Sequence, residues 1–386
     1  MRSLIPSILA VLLAGCGTFA DPTEWFSGAE VIEPAELIEL SNTIQPQTLW
    51  KRDVGSGTDD QRLALEPYVA QGVVYVADGE GRVQAIDGGS GAVVWKVDLD
   101  APVSGGPGVG DGIVVVGTSD GEAIALAAAD GSERWRARLT SEVLSVPAVG
   151  SGVVIVHSVD GKLFGLEAAS GNERWRYERA VPTLTLRGSG SPVLVDGSVY
   201  IGMAGGRLLA LRADNGSVEW DTPVTVPTGR SELQRLADID GDPLVLGGCV
   251  FVATYQGEVA AVEQRSGRVA WRRKVSAYSR MAADRNGIYV SDEDGTVWGL
   301  DILSGAVKWE QKALAHRGLS NVGLLGDYVV VGDFEGYLHW MNQRDGEFVA
   351  RTRVGSDPIT TGLRVVDDVL YVQGDDGDLA AITLPR

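Results

Sequence analysis

The residues able to do chemistry in this 386-residue chain are few and scattered. Three histidines, His157, His316 and His339, lie in different stretches, and none has a carboxylate or cysteine at the spacing of a metal site or a nucleophilic triad. A lone histidine in a strand, such as His157, reads as a structural residue with its ring nitrogens satisfied. The two cysteines, Cys16 and Cys249, offer no disulfide framework. Cys249 stands where the parallel stretches carry Val73, Ile113 and Val153, so it reads as a small buried hydrophobe. The segment ADIDGD sets Asp238, Asp240 and Asp242 at alternate positions, as a calcium loop would. Its glycine, Gly241, comes fourth instead of sixth, and the twelfth place holds Cys249 instead of glutamate. GDDGD at 374–378 reads as a hairpin turn, and no phosphate-cradling glycine loop with its lysine occurs. The expectation is a chain without catalytic residues, metal or cofactor.

The elements that would position any site come from a repeat. Pro107, Gly121, Gly131 and Trp135 recur at the same spacing as Pro67, Gly81, Gly91 and Trp95, then from Pro147, from Pro192 and from Pro243. Met281 opens a further copy (Gly295, Gly305, Trp309), and Val322 another, in which Ala350 takes the tryptophan place. A last copy starts at Leu363 and reaches Gly377, but the chain ends before its tryptophan. Within the unit, IVVVGT and EAIALAA are short strands joined by a DG turn, ERWRARL is a third, and the residues around the proline supply a fourth. Four short antiparallel strands repeating near 40 residues are the signature of a propeller blade. The fold expected is all-β, an eight-bladed propeller, with TLWKRDV around Trp50 supplying the last blade's missing strand.

Formal charge is -19, which argues against nucleic acid and against adsorption to an anionic lipid surface. At the N-terminus, MRSLIPSILAVLLAGC has one basic residue, a short apolar run and small residues before a cysteine, as a secretory signal does. Leu13-Ala14-Gly15-Cys16 resembles the bacterial lipobox, which implies cleavage before Cys16 and lipidation of its thiol. Gly17 after it suggests sorting to an outer membrane. The expected organisation is a signal peptide over 1–15, a lipid-anchored tether over 16–45 with a short helical turn at PAELIEL, and the propeller over 46–386.

The spacing between units singles out one region. From a tryptophan place to the next start is 12 residues after blades 1 and 2, 17 after blade 3, 23 after blade 4, and 10 to 13 thereafter. The two long connections are consecutive and should emerge side by side on one face. The first carries Leu184 and Leu186 beside Arg187; the second has a possible helical turn at SELQRLA and ends in Asp238, Asp240 and Asp242. Leucines, an arginine and aspartates together suit a protein-binding patch, while leucines packed beneath their own loops and solvated charges would account for the same residues.

The repeat unit resembles that of pyrroloquinoline-quinone (PQQ) dehydrogenase propellers. Such an enzyme needs a longer chain, calcium ligands and a vicinal cysteine disulfide, and a PQQ-dependent or related periplasmic oxidoreductase is therefore the alternative reading. The lipobox, the eight copies, the segment Leu184-Thr185-Leu186-Arg187-Gly188 and the segment Arg235-Leu236-Ala237-Asp238-Ile239-Asp240 together resemble the BamB family of outer-membrane protein assembly factors. That resemblance implies a non-enzymatic lipoprotein scaffold, anchored in the outer membrane and facing the periplasm of a Gram-negative cell. It implies contact with the periplasmic POTRA domains of the barrel subunit BamA through Leu184, Leu186, Arg187, Asp238 and Asp240. Other lipoproteins of the assembly complex, and unfolded outer-membrane proteins, are the further partners it implies.

Overall fold

In blade 2 the strands Val103–Gly110, Ile113–Thr118, Glu122–Ala127 and Glu133–Arg138 run as an antiparallel meander from the inside of the ring outward. The two middle strands are buried on both faces because neighbouring blades cover both, and so they read as unbroken apolar runs. The outermost strand is exposed except at Trp135, which is buried, and Ala137, which is half-buried. The computed structural model describes residues 33–58, 63–179, 190–225, 237–360 and 362–385, and shows eight such sheets. Ala64–Leu65, in the connection after Trp50, adds a short parallel strand to the inner edge of blade 2.

The chain ends meet as expected. Gln47–Asp53 pairs antiparallel with Asp378–Thr383, which sets Trp50 opposite Ala381 in blade 8. Every other outer-strand tryptophan likewise faces a small residue: Ala85, Ala125, Gly165, Ala210, Ala261 or Gly299. Each indole then reaches into the following blade. Trp135 Nε1 donates to the Ala168 carbonyl at 2.8 Å and Trp50 Nε1 to Gly88 at 2.8 Å, around to Trp309 and Gln343 at 2.8 Å. The indole lies under that blade's last turn, whose glycine sits at positive φ. A Cβ on Gly171 would stand 2.6 Å from Trp135, so only glycine fits.

Blade 7 reverses this pairing. Ala350 is in the outer strand, and the large side chain is Trp340, its partner across the ladder, fully buried. The reason lies next door. Blade 8 is built from the two ends of the chain and has no last turn for a tryptophan to pack under. Trp340 instead points within its own blade, donating to Thr352 Oγ1 at 3.1 Å, while Ile44 and Leu384 pack against the same cluster.

Residues 34–46, expected as tether with a turn of helix, form no helix and are fastened along blade 7. Ala35 N donates to the Ala315 carbonyl at 2.9 Å and Thr43 N to that of Val349 at 2.8 Å. Asn42 Oδ1 accepts from Arg351 N at 2.9 Å and Asn42 Nδ2 donates to the Arg351 carbonyl at 3.1 Å. Leu37 and Ile44 pack inward. Two arginines hold this strap from beneath: Arg317 Nη1 donates to the Ala35 carbonyl at 3.0 Å and Arg351 Nη1 to that of Ile38 at 2.8 Å.

Candidate partner-binding face

The connections between blades and the turns between second and third strands share one face, shown by Leu139 N donating to Gly121 and Val159 N to Glu142. Leu184, Leu186 and Arg187 lie outside the described residues, as do the SELQRLA turn up to Leu236, and Cys16. What is visible is how both long connections begin and end. At the start of the first, Arg179 pairs with Asp221 of blade 4 at 2.7 Å, and Asp221 also receives Arg207 Nε at 2.8 Å. At the start of the second, Val224 N donates to the Gly206 carbonyl at 2.8 Å, and Thr225 Oγ1 meets Thr254 Oγ1 at 3.2 Å.

The far ends are laced to one another. A Cβ on Gly190 would meet the Ile239 carbonyl at 3.0 Å, and Ser191 N donates to Asp242 Oδ1 at 2.8 Å. His157, buried, contacts the Gly190 carbonyl through Nδ1 at 3.1 Å, and burial holds its imidazole below the ordinary histidine value. It is therefore a neutral strut for the first connection. The two connections do lie side by side where they are described.

The three aspartates of ADIDGD serve separate tasks. Asp238 is only 3% exposed; its Oδ1 accepts from Gly205 N at 2.8 Å, and its carbonyl accepts from Tyr255 N at 3.0 Å. Ala237 and Ile239 on either side are buried, Ile239 in the blade 4–5 core and close against Gly202. Asp238 thus pins the stem in place and is not a free surface charge. Asp240 differs: its Oδ1 is buried and has no hydrogen-bond partner among the described residues, and burial, with Asp238 nearby, pushes its carboxyl up to about 7. A carboxylate in that position is one that an incoming donor would relieve. Asp242 turns to the ring axis, 3.7 Å from Arg280 Nη1. No group of three metal-ligating side chains occurs among the described residues.

Cys249 is half-buried at the head of Cys249–Ala253, and burial raises its thiol. His339 does meet a carboxylate, Asp333, at 2.9 Å through Nε2, while its Nδ1 faces Arg351 Nε at 3.3 Å. An arginine can only donate, so the ring proton sits on Nε2 toward Asp333. Asp333 also takes Arg317 Nε at 2.8 Å, and Arg317 bonds Glu335 as well. The cluster is occupied in holding the strap. Sequence reading missed two features of this face. Tyr278 is 46% exposed, beside Gly241, and a patch of charged residues lies on the ring axis. The axial charges were signalled at the places flanking the repeat's proline, where Glu66, Asp242, Arg280 and Arg364 stand against Gly106, Val146, Ala148 and Leu244 in other copies.

A ring of eight four-stranded blades, seven of them locked to the next through an outer-strand tryptophan, defines a propeller of the PQQ-like repeat class. A family model described as outer membrane protein assembly factor BamB matches residues 40–121 and 79–311. A protein of that name from Pseudomonas aeruginosa is 49% identical over 376 residues, covering 97% of each chain. The crystal structure of BamB from Moraxella catarrhalis superposes with a TM-score of 0.81 at 29% identity, covering 88% of this chain and all of that one. The chain belongs to the BamB family of outer membrane protein assembly factors. Quinohemoprotein alcohol dehydrogenase from Comamonas testosteroni shares the fold, with a TM-score of 0.69 over 88% of this chain, but only 14% of its residues. That likeness extends to architecture alone.

Proposed function

We propose that this protein is a non-enzymatic scaffold of outer-membrane protein assembly, tethered through a lipid on Cys16 and facing the periplasm. Its blade 3 and blade 4 connections bind the POTRA region of the barrel subunit BamA. The observation that carries the reading is the lacing of the two stems through Gly190, Ser191, Ile239 and Asp242, which holds two long connections as one platform. Leu184 and Leu186 supply apolar contact and Arg187 orients the partner. Asp240, with its unpartnered oxygen, accepts a donor from it, and Asp238 positions Asp240 by fixing the stem.

Co-purification from detergent-solubilised membranes tests this. Wild type should bring down a barrel-forming subunit. Arg187→Glu and Leu184→Ala with Leu186→Ala should lose it while melting near the wild-type temperature. Asp240→Asn keeps the shape but cannot accept as a charge, and should weaken capture roughly tenfold, as loss of a charge-assisted bond implies. If the folded variants all capture the partner as wild type does, the platform is not the binding site.

A further inference from the structure

Where the connections enter the innermost strands, the ring forms a half-open cavity of about 200 Å³ on its axis. Its walls on one side are the prolines and small apolar residues of blades 1 to 4, among them Pro107, Pro147 and Ala148; on the other stand Glu66, Asp242, Arg280 and Arg364. The two arginines are in different states. Arg280 is satisfied: its Nη1 lies 2.6 Å from Glu66 Oε2, and its Nη2 donates to the Leu363 carbonyl at 3.1 Å. Arg364 has its Cζ stacked 5.3 Å from the centre of the Tyr68 ring, and its guanidinium finds no acceptor among the described residues. A guanidinium held over a ring face by its charge keeps its fork of N–H donors free for a further partner. A half-buried cation of this kind gains when an acceptor meets it, because burial and the neighbouring Arg280 work against its charge.

We propose that this axial cavity is a binding site for a small monocarboxylate, held in two parallel hydrogen bonds by the open edge of Arg364. Three features select that class. The volume falls below the roughly 300–1,000 Å³ of pockets for drug-sized ligands, so only a few heavy atoms fit. The planar fork of a guanidinium matches a carboxylate's two oxygens. Glu66 and Asp242 face the same space, so a single negative charge is tolerated where a doubly charged phosphate is repelled. An occupant would stand one side chain from the stems of the long connections, because Asp242 bonds Ser191 N at 2.8 Å. The site does not depend on the assembly reading and would exist in a propeller with another role.

The test is titration of the full-length protein with sodium acetate, following the arginine Nε–Hε NMR signals, with sodium chloride at matched ionic strength as reference. The signal that disappears in Arg364→Lys should move saturably with acetate. It should move little with chloride and less with phosphate at pH 8. Ala148→Leu, which fills the cavity from the opposite wall and leaves every charge in place, should weaken the acetate response about tenfold or more. It keeps the test decisive should Arg364→Lys fail to fold, since an arginine signal that moves saturably with acetate in the wild type should then stay still in the folded Ala148→Leu protein. A response equal for chloride and acetate, or one that survives in folded Ala148→Leu, would overturn the proposal.

Discussion

A tryptophan on the outermost strand needs two neighbours: a small residue across the ladder and a turn glycine from the next blade. Trp309 has both, in Gly299 and in Gly346, whose Cβ would stand 2.5 Å from its ring. Residue 350 has no such turn beyond it, so the indole moves one strand inward to Trp340 and the outer strand takes alanine. Trp340→Ala should therefore cost about 3–5 kcal/mol, the range for deleting a fully buried aromatic, read as a lower midpoint in denaturant. Adding Ala350→Trp should return only part of that loss, since the restored indole has no glycine turn to lie under. Full recovery in the double variant would mean that blade 8 offers the same groove as the others. The repeat made the seven regular positions legible, because the same residue types return at fixed spacing. It could not reveal Trp340, because an aromatic in a strand carries no mark of which neighbour it replaces. The same limit hid the axial site: Glu66 lies more than 200 residues from both Arg280 and Arg364, and the three meet only because the ring closes.

The element that sequence reading placed wrongly is the strap. Residues 34–46 have no repeat pattern, and their partners, Ala315, Arg317, Val349 and Arg351, lie more than 270 residues away. Prolines and acids made the stretch look like linker, whereas its backbone is satisfied by blade 7. The charged cluster beneath it is a consequence. Arg317 and Arg351 must reach out to carbonyls of the strap, so Asp333 balances the first and the neutral His339 accepts from the second. Burial sets His339 below the ordinary histidine value, which keeps Nδ1 available to Arg351. Asn42 makes the strap's only side-chain clamp with both its donor and its acceptor used on one residue among the described residues. Asn42→Ala removes two hydrogen bonds worth about 0.5–1.5 kcal/mol each. Amide exchange at Thr43 and Arg351 should accelerate correspondingly, while the global melting temperature shifts little. If the whole ring loses stability instead, the strap is part of the cooperative unit and not a separately opening layer.

At the scale of the whole ring, the strap and the candidate platform stand on opposite sides. Eight blades place blade 7 directly across from blade 3, so the chain enters the ring half a circumference from the first long connection. On the proposed reading, a lipid tether leaving from blade 7 would keep the platform clear of its anchor. This can be separated from binding itself, because the ends of the ring already lie in register. Gln47 pairs with Thr383, so a short turn could join them as in any other blade. New ends could then be opened in the exposed turn at Asp214 and Asn215 of blade 4, with the segment carrying Cys16 moved there. Such a permutant should fold, since permutation is tolerated at exposed loop tips, and in detergent it should capture the barrel subunit as wild type does. In membranes capture should fall, because the new ends leave from the face opposite the connections and an anchor there turns the platform away from the membrane. Undiminished capture in membranes would mean that the place where the chain enters the ring does not orient it.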